Sequence, residues 1–355
     1  MWRGRLRRLV RPAFIWSASI YATMMLTYFV VRLIVTEGYW RVAFINSFSH
    51  WFLLPVLLIF PAALLLRTWR TALGLLPVFA VAIAWFGPYF TPKFRPASSG
   101  ETTIRVLTLN MWVDNWSPPA VEEWIRSADA DLVLLQEVPL DYSSDGLPNL
   151  LDAYPHQFNQ VDDERSGGDL ILARVPIVET EFVELNIPNL PPPLRVVVET
   201  PGGRVAVYNV HLDWPGGYGR SAPAFMQPLF DRMGFLRNAL GYNDFARNLQ
   251  IARLLERIDR DAYPVILGGD FNLSSFSPSY GLLHPRLHDS FREAGFGLGT
   301  SWPVAAARGM PGFVPPLVRI DYIWHDARLR TLSAWQGPPV GSDHLPLLAE
   351  LELLP

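Results

Sequence analysis

No cysteine occurs in the 355 residues, and lysine occurs once, at Lys93. The first absence excludes disulfide frameworks, zinc–thiolate sites and a cysteine nucleophile. The second removes lysine-based nucleophilic and phosphate-loop chemistry and leaves arginine as the working cation. Charge is scarce overall: Asp, Glu, Lys and Arg make up 18% of the chain against 50% hydrophobic residues, an apolar balance for a wholly soluble protein. There is no internal repeat and no long low-complexity tract.

The scarcity is uneven. Residues 1–95 hold eleven basic side chains and one acidic one, Glu37, which leaves 19 basic against 32 acidic in residues 96–355. A region of about +10 therefore precedes one of about −13. The chain is long enough for both to be separate domains.

A membrane-spanning helix needs roughly 20 mostly apolar residues. Three segments qualify, at about 14–35, 44–66 and 72–90, and they predict a membrane region over 1–91. The first is too long for the apolar core of a cleaved signal peptide. Arg32 lies near its end, where its charge can snorkel to the interface. Arg3, Arg5, Arg7, Arg8 and Arg11 precede the first span, and Arg67 and Arg70 lie between the second and third. By the positive-inside rule both places are cytoplasmic, which puts the rest of the chain outside after the third span. Arg41, Lys93 and Arg95 fall on the outer side of this arrangement. Residues 92–102, with two prolines and two serines, read as a linker, and 103–355 as the globular domain.

That domain repeats one pattern: an apolar strand ends in a polar residue that packing does not require. Residues 104–109 lead to Asn110, 132–135 to Gln136 and Glu137, and 205–210 to His211. Residues 264–267 lead through Gly268 and Gly269 to Asp270 and Asn272. The two-residue spacing puts that carboxylate and that carboxamide on one side of an extended segment. Asp321 lies in the strand-like run 320–324, and Ser342, Asp343 and His344 precede a closing strand at 347–351. Helical stretches over 119–128 and 243–258 intervene, so strands and helices alternate in part and predict a mixed α/β sandwich. Each polar residue alone is as well explained by a turn, a cap or a satisfied core histidine. Six strand ends carrying acid, amide or imidazole are not explained by caps, and strand ends at one sheet edge are where α/β proteins build sites.

The ordered set Asn110, Gln136-Glu137, Asn209-Val210-His211, Asp270-Phe271-Asn272, Asp321-Tyr322 and Ser342-Asp343-His344 resembles the endonuclease/exonuclease/phosphatase superfamily, which includes DNase I, AP endonucleases, inositol polyphosphate 5-phosphatases and neutral sphingomyelinases. The resemblance covers roughly residues 103–355. It implies an α/β, four-layer sandwich of two mixed β-sheets flanked by helices that cuts phosphate esters with a divalent metal. Trp112 stands where AP endonucleases carry an acidic residue, and His211 where they use tyrosine. The histidine form is more similar to DNase I and the sphingomyelinases.

The chemistry expected of these residues follows from the difficulty of the reaction. Phosphodiester charge repels nucleophiles, and a hard cation reduces that repulsion. Asn110 and Glu137 are oxygen donors suited to Mg²⁺, with Mn²⁺ an alternative, one or two ions being bound; Asp343 can add to the metal site. Asp270 is expected to orient or deprotonate the attacking water, and Asn272 to hold that water or a phosphate oxygen. His211 and His344 are placed to contact non-bridging oxygens. Asp321 is the natural partner of His344, raising its pKa and fixing its tautomer. Ser166 and Asp169 resemble a substrate-side loop of the family. Arg247 and Gln250, one turn apart on a helix, are candidate substrate contacts.

Two substrate classes compete: a lipid head group or small phosphate ester, and an extracytoplasmic nucleic acid. The acidic domain disfavours nucleic acid, which is bound through basic residues. Apolar loops at 213–242 and 309–317 favour a membrane-borne ester. A catalytically dead membrane adaptor is the remaining class, and competent side chains at every key position speak against it. The expected partners are thus a phosphate-ester substrate, lipid or nucleic acid, and the bilayer; no protein partner is implied.

Overall fold

A computed structural model describes residues 2–35, 40–93, 103–113, 118–139, 147–161, 167–188, 190–215, 242–308 and 310–355. The chain forms two compact units, one of residues 1–91 with 276–278 and one of residues 92–275 with 279–355.

The first unit is helical: α1 (Trp2–Val35), α2 (Trp40–Ser47), α3 (Ser49–Leu53), α4 (Val56–Leu65) and α5 (Trp69–Phe90). Val10–Val35 and Trp69–Phe90 are long and apolar enough to cross a membrane. The expected continuous span at 44–66 is instead broken: Arg41–Ser47 and Ser49–Leu65 meet at 72°, so among the described residues a third span exists only if this bent pair counts as one. The break coincides with inward-facing polar groups. Asn46 is fully buried, and its Oδ1 accepts from Tyr28 Oη at 2.8 Å and Arg32 Nη1 at 3.0 Å. The outside of the unit is apolar, with Leu33, Leu58 and Leu65 at 81%, 78% and 84% exposure. Polar inside and leucine outside reverses the usual arrangement of a protein in water.

The second unit contains β1 (Thr103–Asn110), α6 (Pro118–Ala128), β2 (Leu132–Val138), β3 (His156–Val161), β4 (Gly168–Ala173), β5 (Ile177–Phe182), β6 (Leu194–Thr200), β7 (Gly203–His211), α7 (Phe245–Ile258), β8 (Val265–Asp270), β9 (His288–Asp289), α8 (Ser290–Ala294), β10 (Asp321–His325), β11 (Leu329–Gln336) and β12 (Leu347–Leu353). They form two six-stranded sheets, β11-β12-β1-β2-β4-β3 and β5-β6-β7-β8-β10-β9. Both are mixed: β1–β2 and β7–β8 are parallel, the other pairings antiparallel.

Side-chain alternation explains the layering. Ile104 and Val106, Leu132 and Leu134, Val205 and Val207, Ile266 and Ile323 pack together between the sheets. Their strand neighbours face outward. Leu107, Leu109, Val133 and Leu135 pack under Val121 and Ile125 of α6. Ala206, Tyr208, Val265 and Leu267 pack under Ile251, Leu254 and Leu255 of α7. The result is the expected four-layer sandwich. The same count in steps of two carries Asn110, Gln136, Asn209, His211, Asp270 and Asp321 onto the inner faces, where the strands end.

Candidate active site

Register gathers the site from strands far apart in sequence. His211 pairs with Asp270 across the parallel β7–β8 ladder, and Asp270 with Asp321 across the antiparallel β8–β10 ladder. Residues opposite one another share a face, so imidazole and two carboxylates form one row on the second sheet. Gly269 lets β7 and β8 approach this closely: its φ is +144°, and a Cβ there would lie 1.9 Å from Val210 O.

The first sheet supplies Asn110 and Glu137. Strict alternation would turn Glu137 outward, but the β2–β4 register breaks between Leu135 and Val138. Glu137 takes φ +51° at this bulge, which re-aims its side chain. Gly167 makes room, since a Cβ there would meet Val138 O at 2.6 Å. Glu137 Oε2 then accepts from Val113 N at 3.2 Å, and Oε1 from Asn110 Nδ2 at 2.9 Å. Asn110 Nδ2 also donates to Asp270 Oδ2 at 3.1 Å, joining the two sheets' carboxylates. Asn110 was expected to offer its oxygen to a metal. Its Oδ1 instead accepts from Trp112 N at 2.9 Å, and that bond turns the amine end toward the acids.

His211 Nε2 stands 3.6 Å from Glu137 Oε1 and 4.0 Å from Asp270 Oδ2. His344 Nδ1 meets Asp321 Oδ2 at 2.9 Å, while its Nε2 lies 3.8 Å from Asp270 Oδ2. Ser342 fixes this loop, its Oγ donating to Asn110 O at 2.6 Å and accepting from His344 N at 2.9 Å. Asp270 Oδ1 accepts from Asn272 N at 2.8 Å, and Asn272 Nδ2 donates to Leu212 O at 2.8 Å. Two groups, Glu137–His211–Asp270 and Asp270–Asp321–His344, each bring candidate metal-ligand atoms within 4.8 Å of one another.

Burial and neighbouring charge set the protonation states. Burial pushes Asp270 up to about 6; His344 opposes this and Asp321 adds to it. Burial works against a charged His344, yet Asp321 and Asp270 outweigh it and raise its pKa to about 10. The pKa of His211 is likewise raised against its burial, by Glu137 and then Asp270. His344 is therefore an imidazolium at neutral pH, and the carboxylates favour the charged form of His211 as well.

The donor set fits a hard divalent cation at the Glu137 group better than at the Asp321 group. Asp321 and His344 already satisfy each other, whereas His211 stands beyond hydrogen-bonding reach of both acids. Asp343 gives a second sign. Its Oδ2 accepts from Trp302 Nε1 at 2.9 Å and Arg308 Nε at 2.8 Å, but its buried Oδ1 has no hydrogen-bond partner and lies 3.8 Å from His344 Nε2.

The expected substrate contacts fare differently. Arg247 is fully buried, donates to Asn272 O and lies 3.5 Å from Asp244. Gln250 is buried as well, its Oε1 accepting from Asp213 N at 2.8 Å. Both face the interior because they continue the stripe of Ile251, Leu254 and Ile258 that packs on the sheet, so they brace the turns after β8 and β7. Asp169 is buried on β4. Ser166 and residues 216–241 of the first apolar loop lie outside the described residues. In the second loop, Phe313 is 85% exposed.

Sequence reasoning gave no role to a bridge beneath the site. Gln136 Nε2 donates to Asn209 Oδ1 at 2.6 Å, and Asn209 Nδ2 donates to Leu135 O at 2.8 Å and Leu170 O at 3.2 Å. The amides tie the two sheets together one residue before Glu137 and two before His211. Their signal was visible as uncharged polar residues at inner-face positions of apolar strands.

A family model described as Endonuclease/Exonuclease/phosphatase family matches residues 107–344. No curated protein matches the chain in sequence. Among solved structures, an endonuclease/exonuclease/phosphatase from Bacteroides vulgatus is 19% identical with a TM-score of 0.54, over 71% of this chain and 100% of that one. A functionally unknown conserved protein from Enterococcus faecalis V583 is 22% identical with a TM-score of 0.53, over the same shares. Truncated Caenorhabditis elegans TDP2 is 16% identical with a TM-score of 0.51, over 70% of this chain and 98% of that one. At these identities the likeness shows the fold.

Proposed function

Because the chain belongs to the endonuclease/exonuclease/phosphatase family, whose members are generally hydrolases, we propose that it is a membrane-anchored, Mg²⁺-dependent phosphoesterase. It hydrolyses phosphodiester or phosphomonoester bonds, with a lipid head group or small phosphate ester as substrate. The observation that carries this reading is the His211–Asp270–Asp321 row facing Asn110 and Glu137 across the sheet gap.

Glu137 would hold the cation, Mg²⁺ or Mn²⁺, with Asp343 Oδ1 a further carboxylate oxygen at the site. A bound cation supplies Lewis-acid charge that offsets the phosphate's repulsion of a nucleophile. The chain's own groups do the rest. Asp270, its pKa raised toward neutrality by burial, accepts the proton of the attacking water. Asn272 has one Nδ2 hydrogen on Leu212 O, leaving the other and Oδ1 for that water or a phosphate oxygen. His211 and His344 offer Nε2–H to non-bridging oxygens as charge grows on them. Asp321 holds the His344 ring by Nδ1 and keeps it charged.

Membrane anchoring is supported by the leucine-covered exterior of the first unit and its buried Asn46. With the bent pair Arg41–Ser47 and Ser49–Leu65 counted as one span, the arginine distribution puts the N-terminus in the cytoplasm and the catalytic domain outside. Lipid is favoured over nucleic acid by the acidic balance of residues 96–355 and by Phe313. The test is a substrate panel: full-length protein in detergent with Mg²⁺ against bis(p-nitrophenyl) phosphate, phospholipid vesicles and plasmid DNA. Release of phosphorylated head groups with DNA left intact supports the reading. DNA cleavage alone moves the protein to the nuclease class, and inertness toward all three overturns the phosphoesterase reading. Protection of the catalytic domain from external protease in intact cells would overturn the topology.

A further inference from the structure

The mouth of the site carries a cation held between aromatic rings. Arg308 Cζ lies 5.5 Å from the Trp112 ring centroid and 5.6 Å from that of Trp302. The Trp302 ring lies 5.4 Å from Trp214 and 6.4 Å from His344. Each indole flanks the catalytic cluster: Trp112 N binds Asn110 Oδ1, Trp214 follows His211 by three residues, and Trp302 Nε1 binds Asp343. The three rings are half-buried, and the Arg308 side chain is 44% exposed.

A cluster of indoles beside a phosphoesterase site suggests an aromatic cage for a quaternary ammonium group, which binds against π faces. Here the faces of Trp112 and Trp302 already have a guanidinium over them. A second cation would meet like charge and gain nothing from those rings. An anion would meet a guanidinium whose two bonding nitrogens both point at one oxygen, Asp343 Oδ2, instead of spanning the two oxygens of a bidentate partner. Both donors of the Nε–Nη2 edge are taken by that oxygen, which leaves the Nη1 edge for an anion at the exposed rim.

Resting on the phosphoesterase reading, we propose that Arg308 selects the alcohol side of the substrate by charge: the site takes esters whose non-leaving alcohol carries a further anionic group and turns away those carrying a quaternary ammonium. Arg308 shares its fork between Asp343 and that anion, with Trp112 and Trp302 holding the guanidinium plane in place. The preferred substrate is an anionic phosphate ester, and choline esters are poor ones.

Three nitrophenyl phosphodiesters test this, alike in leaving group and differing in the second alcohol: choline, propyl or 2-carboxyethyl. Full-length protein in neutral detergent is expected to rank them carboxyethyl, propyl, choline by kcat/KM. Arg308→Gln should remove the ranking, lowering the carboxyethyl-to-choline ratio of kcat/KM about fivefold. Arg308→Lys should keep the order at reduced spread, because it keeps the charge and loses the fork. A uniform loss across all three esters in Arg308→Gln would show a purely structural role through Asp343 and overturn the proposal, as would a wild-type preference for choline. Calorimetric binding of the matching phosphonates, which do not turn over, separates the two readings. If no ester is hydrolysed but the phosphonates keep the order and lose it in Arg308→Gln, the phosphoesterase reading falls and the charge selection stands. If the phosphonates bind without regard to charge, the selection falls whatever the activity.

Discussion

The amide bridge between the sheets offers the sharpest test of how the fold sets the site. Asn209→Leu keeps nearly the same side-chain size and removes three buried hydrogen bonds, from Gln136 Nε2 and to Leu135 O and Leu170 O. Gln136 Nε2 is not orphaned, because Thr108 Oγ1 and Leu134 O remain at 3.2 Å. The full penalty for an unsatisfied buried donor therefore does not apply. At about 1 kcal/mol for each bond lost, the domain should lose about 3 kcal/mol. Urea unfolding in neutral detergent, followed by the β-sheet circular dichroism band, reads this as a midpoint lowered by about 1 M. Gln136→Leu removes the 2.6 Å link from the other side, so the two substitutions should be coupled by about 1 kcal/mol in a double-mutant cycle. Turnover should fall too, since Glu137 and His211 sit on strands that lose their common reference. A loss below about 1 kcal/mol for Asn209→Leu, or strict additivity with Gln136→Leu, would refute the bridge as an energetic link between the sheets.

Other perturbations probe the chemistry. Glu137→Gln removes the carboxylate assigned to the cation; kcat should fall at least ~100-fold, and Mg²⁺ binding measured by calorimetry should weaken with it. The pKa of His344 is raised to about 10, largely by Asp321 against the opposing effect of burial, so its imidazolium persists through neutral pH and is lost as pH rises through that value. Asp321→Asn should move the alkaline limb of the pH–kcat profile down to about 7, leaving acid-side activity little changed; a pH-independent loss would contradict this role. Arg247→Met removes the donor to Asn272 O while preserving bulk, and should lower kcat about tenfold at unchanged KM, whereas a raised KM alone would return Arg247 to substrate binding.

Much of the site was legible because alternation in a strand is strict. Counting back in twos from Asn110, His211 and Asp270 reaches Val106, Val207 and Ile266, which pack between the sheets, so the polar ends had to face the same gap. Glu137 breaks this count. Its bulge depends on where β4 loses register with β2, a property of two strands that neither shows alone. The bend between Ser47 and Ser49 was hidden for a related reason: hydropathy runs through it, while Asn46 beside it bonds sideways to Tyr28 and Arg32, contacts between helices that hydropathy does not register. The burial of Arg247 and Gln250 was legible and passed over. They stand four and one residues before Ile251, at helical spacing with Leu254 and Ile258, and so belong to the stripe that must face the sheet.

Backbone conformation ties these cases together. Three non-glycine residues at the site have positive φ: Trp112 at +64°, Glu137 at +51° and Asn272 at +48°. For L-residues the left-handed region costs about 1–2 kcal/mol each, so the strand ends hold strain that the packed sheets offset. At Asn272 the backbone and side-chain contributions can be separated. Asn272→Gly relieves the left-handed cost and keeps the N–H to Asp270 Oδ1, while giving up the 2.8 Å bond to Leu212 O. Gain and loss are each about 1 kcal/mol, so stability should stay within about 1 kcal/mol of the parent. Asn272→Val keeps the left-handed cost, raises it by about 1 kcal/mol through β-branching and loses the same bond, and should be destabilised by about 2 kcal/mol. If the side-chain amide handles the attacking water or a phosphate oxygen, the glycine variant folds normally and yet loses about 100-fold in kcat. A stable glycine variant with near-parental turnover would instead confine Asn272 to holding Asp270 through its backbone, and the water would then rest on Asp270 alone.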